Sequence, residues 1–421
     1  MSNKEINTSK SKPKRVLMIA QSNYNYDARI IRFCDMLKNA EISVDIICLR
    51  MDDQTKFESI ENVNVYRVMK HFNQDTVLSY LFFSVIFVFR AMFKSILLLF
   101  KNKYLIVHVH NMPDYLVFAA IFARIKNIPI ILDIHDLVLE LFQEKWANKN
   151  FKSIKKIIQF SEKISNKFAD HTITVSNECA ERMIGRGLQN DRITIIMNVP
   201  NRVHFPYFKD RVFNKASFNI LYHGTIAERY GLIHSIHSVA LALPHIPVIN
   251  FYIVGKIDSE YGTYLKNVAK KLGIQDHIIF QNSIHYHKLS EFFKKIDLGI
   301  ITETTLQYSE FGIPTKAFEY VASGIPIIIN DLKVSRSLFK EESVCFINYK
   351  NYNDIANKII YLYNHPEIRE KMAKSAYEDL LKVDYNIMND RYLGLINSLN
   401  SNFNGELFNV QPNTNSSTPH R

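Results

Sequence analysis

The chain of 421 residues has little glycine and little cysteine, twelve of the first and four of the second. So few glycines argue against long flexible linkers. Cys34, Cys48, Cys179 and Cys345 fall into no CxxC or Cys/His metal-ligand spacing. That excludes the common zinc modules and fits a reduced, cytosolic chain. No Asp-x-Asp pair occurs anywhere, so a metal-bridged diphosphate lacks its usual ligands. Met1 to Lys14 is polar and lysine-rich with no apolar centre; it is no secretory signal and is expected to be a disordered arm. No nucleic-acid-binding motif is present and the basic residues are dispersed, so nucleic acid is not an expected partner. The formal net charge of +11 still calls for an anionic one, a membrane or a phosphorylated substrate.

What is present is an alternation of apolar runs and helical periodicity. Val16 to Ala20 reads as a buried parallel strand, 27–39 as a helix and Val44 to Leu49 as the next strand. Val63 to Val68, Ile106 to His110, Ile128 to Asp133, Thr172 to Val175 and Ile193 to Ile196 continue the strands. Helices are expected over Tyr115 to Ile125, Phe151 to Ala169 and Glu178 to Arg186. Asn198 to Ala216 holds two prolines and no periodicity, and the alternation restarts at Ile220. The length exceeds one comfortable core. The expectation is therefore α/β: an N-terminal Rossmann-like domain over 15–200, a linker over 201–216, and a second Rossmann-like domain over 217–384. The two parallel sheets face a central cleft. The stretch 401–421, rich in Asn, Ser, Thr and Pro, is expected to be a disordered tail.

Val77 to Phe100 is apolar and long enough to span a bilayer, but Arg90 and Lys94 interrupt it, and a span would split one sheet across a membrane. The favoured reading is a helix packed on the sheet with one face reaching the bilayer surface; the other is a wholly buried helix. Over 151–168, Phe151, Ile154, Ile157, Ile158, Ile164 and Phe168 recur at helical spacing among lysines. Such a helix lies on anionic lipid, or faces the core with a solvated lysine side.

Three constellations carry chemistry. Tyr308 to Ile327 reads as a loop, a helix opened by Pro314, a Gly324-Ile325-Pro326 break and a strand. The free N–H groups of that helix start favour a phosphate, with Gly312, Ile313, Pro314 and Thr315 around it. Lys316 adds a point charge, and Glu319, on the same helix face, suits a ribose diol. Second, Tyr222 to Gly231 is a strand end, a small-residue turn and a helix start, placing His223 and Gly224 by a phosphate and Arg229 across a diphosphate. Val254-Gly255 repeats the strand-then-glycine pattern, so Gly255 joins the donor-binding set. Third, His108, His110 and Asn111 end one strand and Asp133-Ile-His-Asp136 another, both pointing into one crevice. His135 is read as orienting the reacting sugar. A zinc site from these histidines is the other reading, although the spacing matches no standard set.

From about Arg15 to Asn400 the chain resembles a retaining, family-4-type glycosyltransferase of GT-B fold (glycosyl transferases group 1). The resemblance rests on His108-Val-His110, Asp133-Ile-His-Asp136, Ala169 to Ser176, Asn198-Val-Pro200, Tyr222-His-Gly224 with Arg229-Tyr-Gly231, Ile253-Val-Gly255, and Pro314 to Tyr320 with Gly324-Ile-Pro326. It implies a hexosyltransferase-type enzyme with a nucleotide-sugar donor held by the C-terminal half. A glycan or lipid-linked acceptor lies against the N-terminal half, near His110, Asn111 and Asp136, in polysaccharide or glycoconjugate synthesis. It implies no metal and no cofactor. The catalytic groups would be His135, Arg229 and Lys316, and a helix over 385–400 would cross back to the first domain. The expected location is cytoplasmic, peripheral on the inner face of the cell membrane. Glu319 matches the second Glu of the family's paired-Glu motif, while Phe311 stands at the first; Thr225 and Tyr230 hold the places of its usual basic pair. A non-catalytic nucleotide-sugar-binding subunit and a GT-B-fold epimerase are the alternatives.

Overall fold

The computed structural model describes residues 14–71, 76–145, 152–209, 211, 216–257, 260–303 and 310–404. The first sheet is built from β1 (Arg15–Ala20), β2 (Ser43–Arg50), β3 (Phe57–Ile60), β4 (Val63–Lys70), β5 (Val107–His110), β6 (Ile130–Ile134), β7 (His171–Thr174) and β8 (Ile193–Ile195). Their order is β3-β4-β2-β1-β5-β6-β7-β8. Only β3, at the edge, runs antiparallel to its neighbour among the described strands. The second sheet holds β9 (Phe218–His223), β10 (Ile249–Val254), β11 (Ile278–Gln281), β12 (Leu298–Ile301), β13 (Ile327–Asn330) and β14 (Cys345–Ile347), in the order β11-β10-β9-β12-β13-β14. β1 and β9 are apolar runs because both of their faces are covered, as parallel strands require. Each sheet starts at its middle and winds first one way and then the other. The reversal between β1 and β5, and between β9 and β12, opens a crevice at the carboxyl ends of the strands.

Helices α1 (Ala28–Asn39), α2 (Val77–Lys101), α3 (Ile121–Ile125), α4 (Val138–Lys145), α5 (Lys152–Phe168) and α6 (Asn177–Ile184) flank the first sheet. The second carries α7 (Leu232–Ala242), α8 (Glu260–Lys271), α9 (Tyr286–Phe293), α10 (Thr315–Ala322), α11 (Lys333–Leu338), α12 (Tyr352–Asn364) and α13 (Pro366–Leu381). α14 (Tyr385–Asn404) returns to the first sheet, where the Tyr392 hydroxyl lies 2.9 Å from His108 Nδ1 and Arg391 reaches the Ile195 carbonyl.

Several expectations are corrected. The helix over 115–125 is a 3₁₀ stretch over Asp114–Ala120 followed by the short α3. Leu116, Val117, Ala119 and Ala120 are fully buried there, and the tighter winding fits a segment pressed between α2 and α5. α14 runs to Asn404, past the expected start of the tail at 401; 405–421 and the arm over 1–13 lie outside the described residues. Of the expected linker, 210 and 212–215 also lie outside them. α2 is packed rather than wholly buried. Phe83, Phe87, Ala91, Leu98 and Leu99 join Leu17, Ile19 and Ile47 of the sheet, and the opposite face is open. β4 before it and β5 after it share one sheet, so α2 lies along the domain and does not cross a bilayer with that sheet intact. α5 turns Glu162, Ser165 and Asn166 inward and leaves Ile157 and Phe160 exposed, because Glu162 pairs with Arg186 at 2.7 Å.

Candidate functional site

On the second lobe, α10 starts at Thr315 with Pro314 as N-cap and no side-chain cap, which leaves its first N–H groups to a ligand or water. Lys316 in this first turn lies over the rings of Tyr222 and Tyr230, its ammonium 4.8 and 4.6 Å from their centroids. The same ammonium is 3.7 Å from Glu303, at the end of β12. Burial raises the Glu303 carboxyl above its usual range, opposed by the charges of Lys316 and Arg229. One helical turn on, Glu319 accepts a 2.7 Å hydrogen bond from His223 Nε2. A carboxylate only accepts, so His223 carries a proton on Nε2, while its Nδ1 lies 2.9 Å from the Tyr320 hydroxyl, which donates to the Leu221 carbonyl. Arg229, exposed on a 3₁₀ turn, stacks on Tyr230 with its guanidinium carbon 4.9 Å from the ring centroid.

Two glycines shape the turn after β9. Gly224 has φ +126°, a conformation L side chains rarely adopt, and a Cβ there would point at Lys316. A Cβ on Gly255 would fall 2.1 Å from the Gly224 carbonyl oxygen. Gly255 therefore stands behind the turn and lets it lie flat; it is not in the cavity wall where the strand-then-glycine pattern had put it.

On the first lobe the central group is Asp133, fully buried at the end of β6. Arg29 from α1 grips it with two bonds, Nη2 to Oδ1 at 2.5 Å and Nε to Oδ2 at 2.7 Å. His110 Nδ1 lies 2.9 Å and His135 Nδ1 3.6 Å from Oδ2. Burial opposes ionisation of Asp133, but Arg29 prevails and holds the carboxyl well below the usual range. For His135, burial disfavours the imidazolium; the nearby carboxylates of Asp133 and Asp136 outweigh it, and its pKa is raised. His108 is driven the other way, by burial first and then by neighbouring His110. Arg29 also donates to Asn198 Oδ1 at 2.7 Å and to the Ile196 carbonyl at 3.1 Å. Asn111 donates to the Asp136 carbonyl at 2.6 Å and to Asp114 at 3.0 Å, and its own oxygen accepts from the His135 N–H at 3.2 Å.

The two walls enclose one cavity of about 360 Å³, within the usual range of small-molecule sites. His135, Asp136 and Asn198 line it from the first lobe; His223, Gly224, Arg229, Tyr230, Glu303, the run from Phe311 to Lys316, and Glu319 line it from the second. The lobes touch at its edge, where Ser176 Oγ (2.5 Å) and Cys179 Sγ (3.1 Å) both donate to the Phe311 carbonyl.

Most sequence-derived site residues thus meet in one space. His110 and Asn111 do not reach it. They are buried behind the wall and act on Asp133, Asp136 and His135 rather than on a ligand. Glu303 was missed, although it follows the apolar run of β12 as His135 follows β6, and the same strand-end rule would have found it. Asn198 entered only as the start of the aperiodic stretch after β8 and as part of the resemblance, with no role of its own. Arg29 gave no signal, because nothing in a helix sequence announces a carboxylate partner 104 residues on.

Among the described residues, His108, His110 and Asp133 bring ligand-type atoms within 4.8 Å of one another. Asp133 already accepts from Arg29 twice and from His110 once, and a dication there would sit against a guanidinium. The donor set therefore reads as an ion-pair network.

The family described as "Glycosyltransferase Family 4" matches residues 28–201, and "Glycosyl transferases group 1" matches residues 205–379. A curated relative, the N,N'-diacetylbacillosaminyl-diphospho-undecaprenol alpha-1,3-N-acetylgalactosaminyltransferase of Campylobacter jejuni, is 28% identical over 273 residues, 59% of this chain. The match spans 66% of that relative's length, just under two thirds. Sucrose-phosphate synthase from Thermosynechococcus elongatus shares the fold with a TM-score of 0.74 at 16% identity, covering 92% of this chain and 99% of that one. Anabaena HepE in complex with UDP gives 0.67 at 15% identity, covering 91% and 100%.

Proposed function

From a chain that belongs to the group 1 glycosyltransferases of GT-B fold, we propose a retaining enzyme that moves a hexose-type sugar from a nucleoside-diphosphate donor to a lipid-linked glycan at the cytoplasmic face of a membrane. The observation that carries this reading is the single cavity in which Lys316, Arg229, Glu319 and the open N-terminus of α10 face His135 and Asp136 across the crevice. The donor side is supported by a neighbour of the same fold recorded with UDP, and the acceptor side by a relative named for a diphospho-undecaprenol substrate.

In the reaction, the bond between the sugar's anomeric carbon and the diphosphate oxygen breaks, and its electron pair leaves with the diphosphate. The acceptor oxygen bonds to the same carbon on the face just vacated, and its proton passes to an oxygen of the departing phosphate. Lys316, Arg229 and the α10 N-terminus stabilise the charge that grows on the leaving group. Glu319, held by His223, receives the ribose. His135, oriented by Asp133 and by its backbone bond to Asn111, is a donor to the sugar on the opposite wall. Glu303 stands beside Lys316 and faces the donor. The Ser176 and Cys179 contacts to Phe311 narrow the cleft against water, which would otherwise hydrolyse the donor.

Incubating the enzyme with a UDP-sugar panel and polyprenyl-diphosphate saccharides tests the reading. NMR of the product is expected to show the donor's own anomeric configuration. An inverted product would overturn the retaining assignment, and acceptor-independent interconversion of the donor sugar would point to an epimerase.

A further inference from the structure

We infer that α2 is a membrane-docking element, whose outward face settles among the headgroups of an anionic lipid bilayer beside the cleft. Leu78, Phe82, Phe89, Phe93 and Phe100 are between 61% and 78% exposed, and Leu81, Val85 and Leu97 between 41% and 44%. At about 100° per residue these positions, three or four apart, form one stripe. Phe83, Phe87, Ala91, Leu98 and Leu99 point the other way, into the sheet. The stripe follows a helix of 25 residues, about 37 Å long. An unbroken apolar face of that length exceeds what a soluble monomer ordinarily leaves in water.

Charge identifies the occupant. Alongside Phe89, Phe93 and Leu97 runs a groove lined by Arg50, Lys56, Arg67, Lys70, Arg90 and Lys94. Asp52 pairs with Lys70 and Glu58 with Arg67, so cations remain in excess. Aromatic side chains flanked by lysine and arginine suit the interface of an anionic bilayer. A second copy docked on the same face would bring this cationic groove towards its own image.

The placement also serves the cleft. Gln21 at the end of β1 donates to Ser84 of α2 at 2.8 Å, which fixes this half of the helix at the carboxyl ends of the strands. Beside Tyr115, Asp114 bonds to Asn111, which holds His135 and Asp136. A lipid-linked acceptor rising from a bilayer at this end of α2 would enter the cavity from its first-lobe side; this last step rests on the transferase reading above.

Flotation of the full chain with vesicles of phosphatidylglycerol and phosphatidylcholine, against phosphatidylcholine alone, tests the inference. Binding to the anionic vesicles is expected. The double variant Phe89→Glu/Phe93→Glu, changed only at exposed positions, is expected to lose it by more than about tenfold while keeping its Tm. Wild-type protein that stays off anionic vesicles would overturn the inference, as would a variant that still binds them. Light scattering that shows a dimer broken by the same variant, without vesicle binding, would assign the face to a second copy and overturn it too. Nucleotide-induced Tm shifts are read in parallel. Vesicle binding without nucleotide binding would sink the transferase reading and leave this one standing, and the reverse would sink this one alone.

Discussion

Lys316→Ala should lower kcat for sugar transfer by about 10²–10³-fold and leave the protein folded. The ammonium is pre-positioned between two aromatic rings in the first turn of α10, where the proposed reaction places the negative charge that grows on the phosphate. Held in place before the reaction, it stabilises the departing diphosphate more than the bound donor, so the loss falls on kcat more than on KM. The fold should survive because Lys316 lies in the cavity wall and Glu303 keeps the charge of Arg229 nearby. Steady-state kinetics with a melting curve on the same preparation decide the matter. Wild-type turnover would mean the diphosphate is held elsewhere, with Arg229 the first alternative.

Arg29→Met carries the largest expected cost in stability. Breaking a buried pair by removing one partner leaves a charge with no compensation, typically about 3–5 kcal/mol. For a domain of this size that corresponds to a fall in Tm on the order of 10 °C. Here the abandoned group is Asp133, fully buried and held strongly acidic by Arg29. The sign of the pH dependence follows. A depressed carboxyl contributes stability above its unfolded pKa of about 3.9 and loses it as pH falls through the lower folded value. The deficit of the variant should be full near neutral pH and shrink as pH drops below about 4. A deficit that does not change with pH would show that Arg29 acts through packing alone.

The parallel sheets were legible because strands covered on both faces read as unbroken apolar runs, as in Val16 to Ala20 and Ile220 to Tyr222. Strands and helices with one weak face were not. β3 alternates between exposed and half-exposed residues and contains Glu58 and Ser59, so it carries no apolar run. α9 and α11 span eight and six residues, too short for a clear period. In the site, residues at strand ends were readable because sheet topology alone sends them into the crevice: His135, Asp136, His223 and Gly224 line the cavity as that rule requires. Gly255, His110 and Asn111 obey the same rule and yet stay behind the wall. Depth below the surface depends on what packs on top of them, and the neighbouring turn at Gly224 and the Arg29–Asp133 pair are contacts between segments far apart in sequence.

The most direct test of a donor site in this cleft is a thermal-shift panel of UDP, GDP, ADP and CMP on wild type and on Glu319→Ala, followed by calorimetry on whichever nucleotide responds. One nucleotide is expected to raise the wild-type Tm, because a ligand of the folded state stabilises it by RT ln(1 + L/Kd), L being the free ligand concentration, and calorimetry is expected to show affinity more than about tenfold weaker in the variant. No shift from any nucleotide, or equal affinity in the two proteins, would contradict the placement of the donor against Glu319.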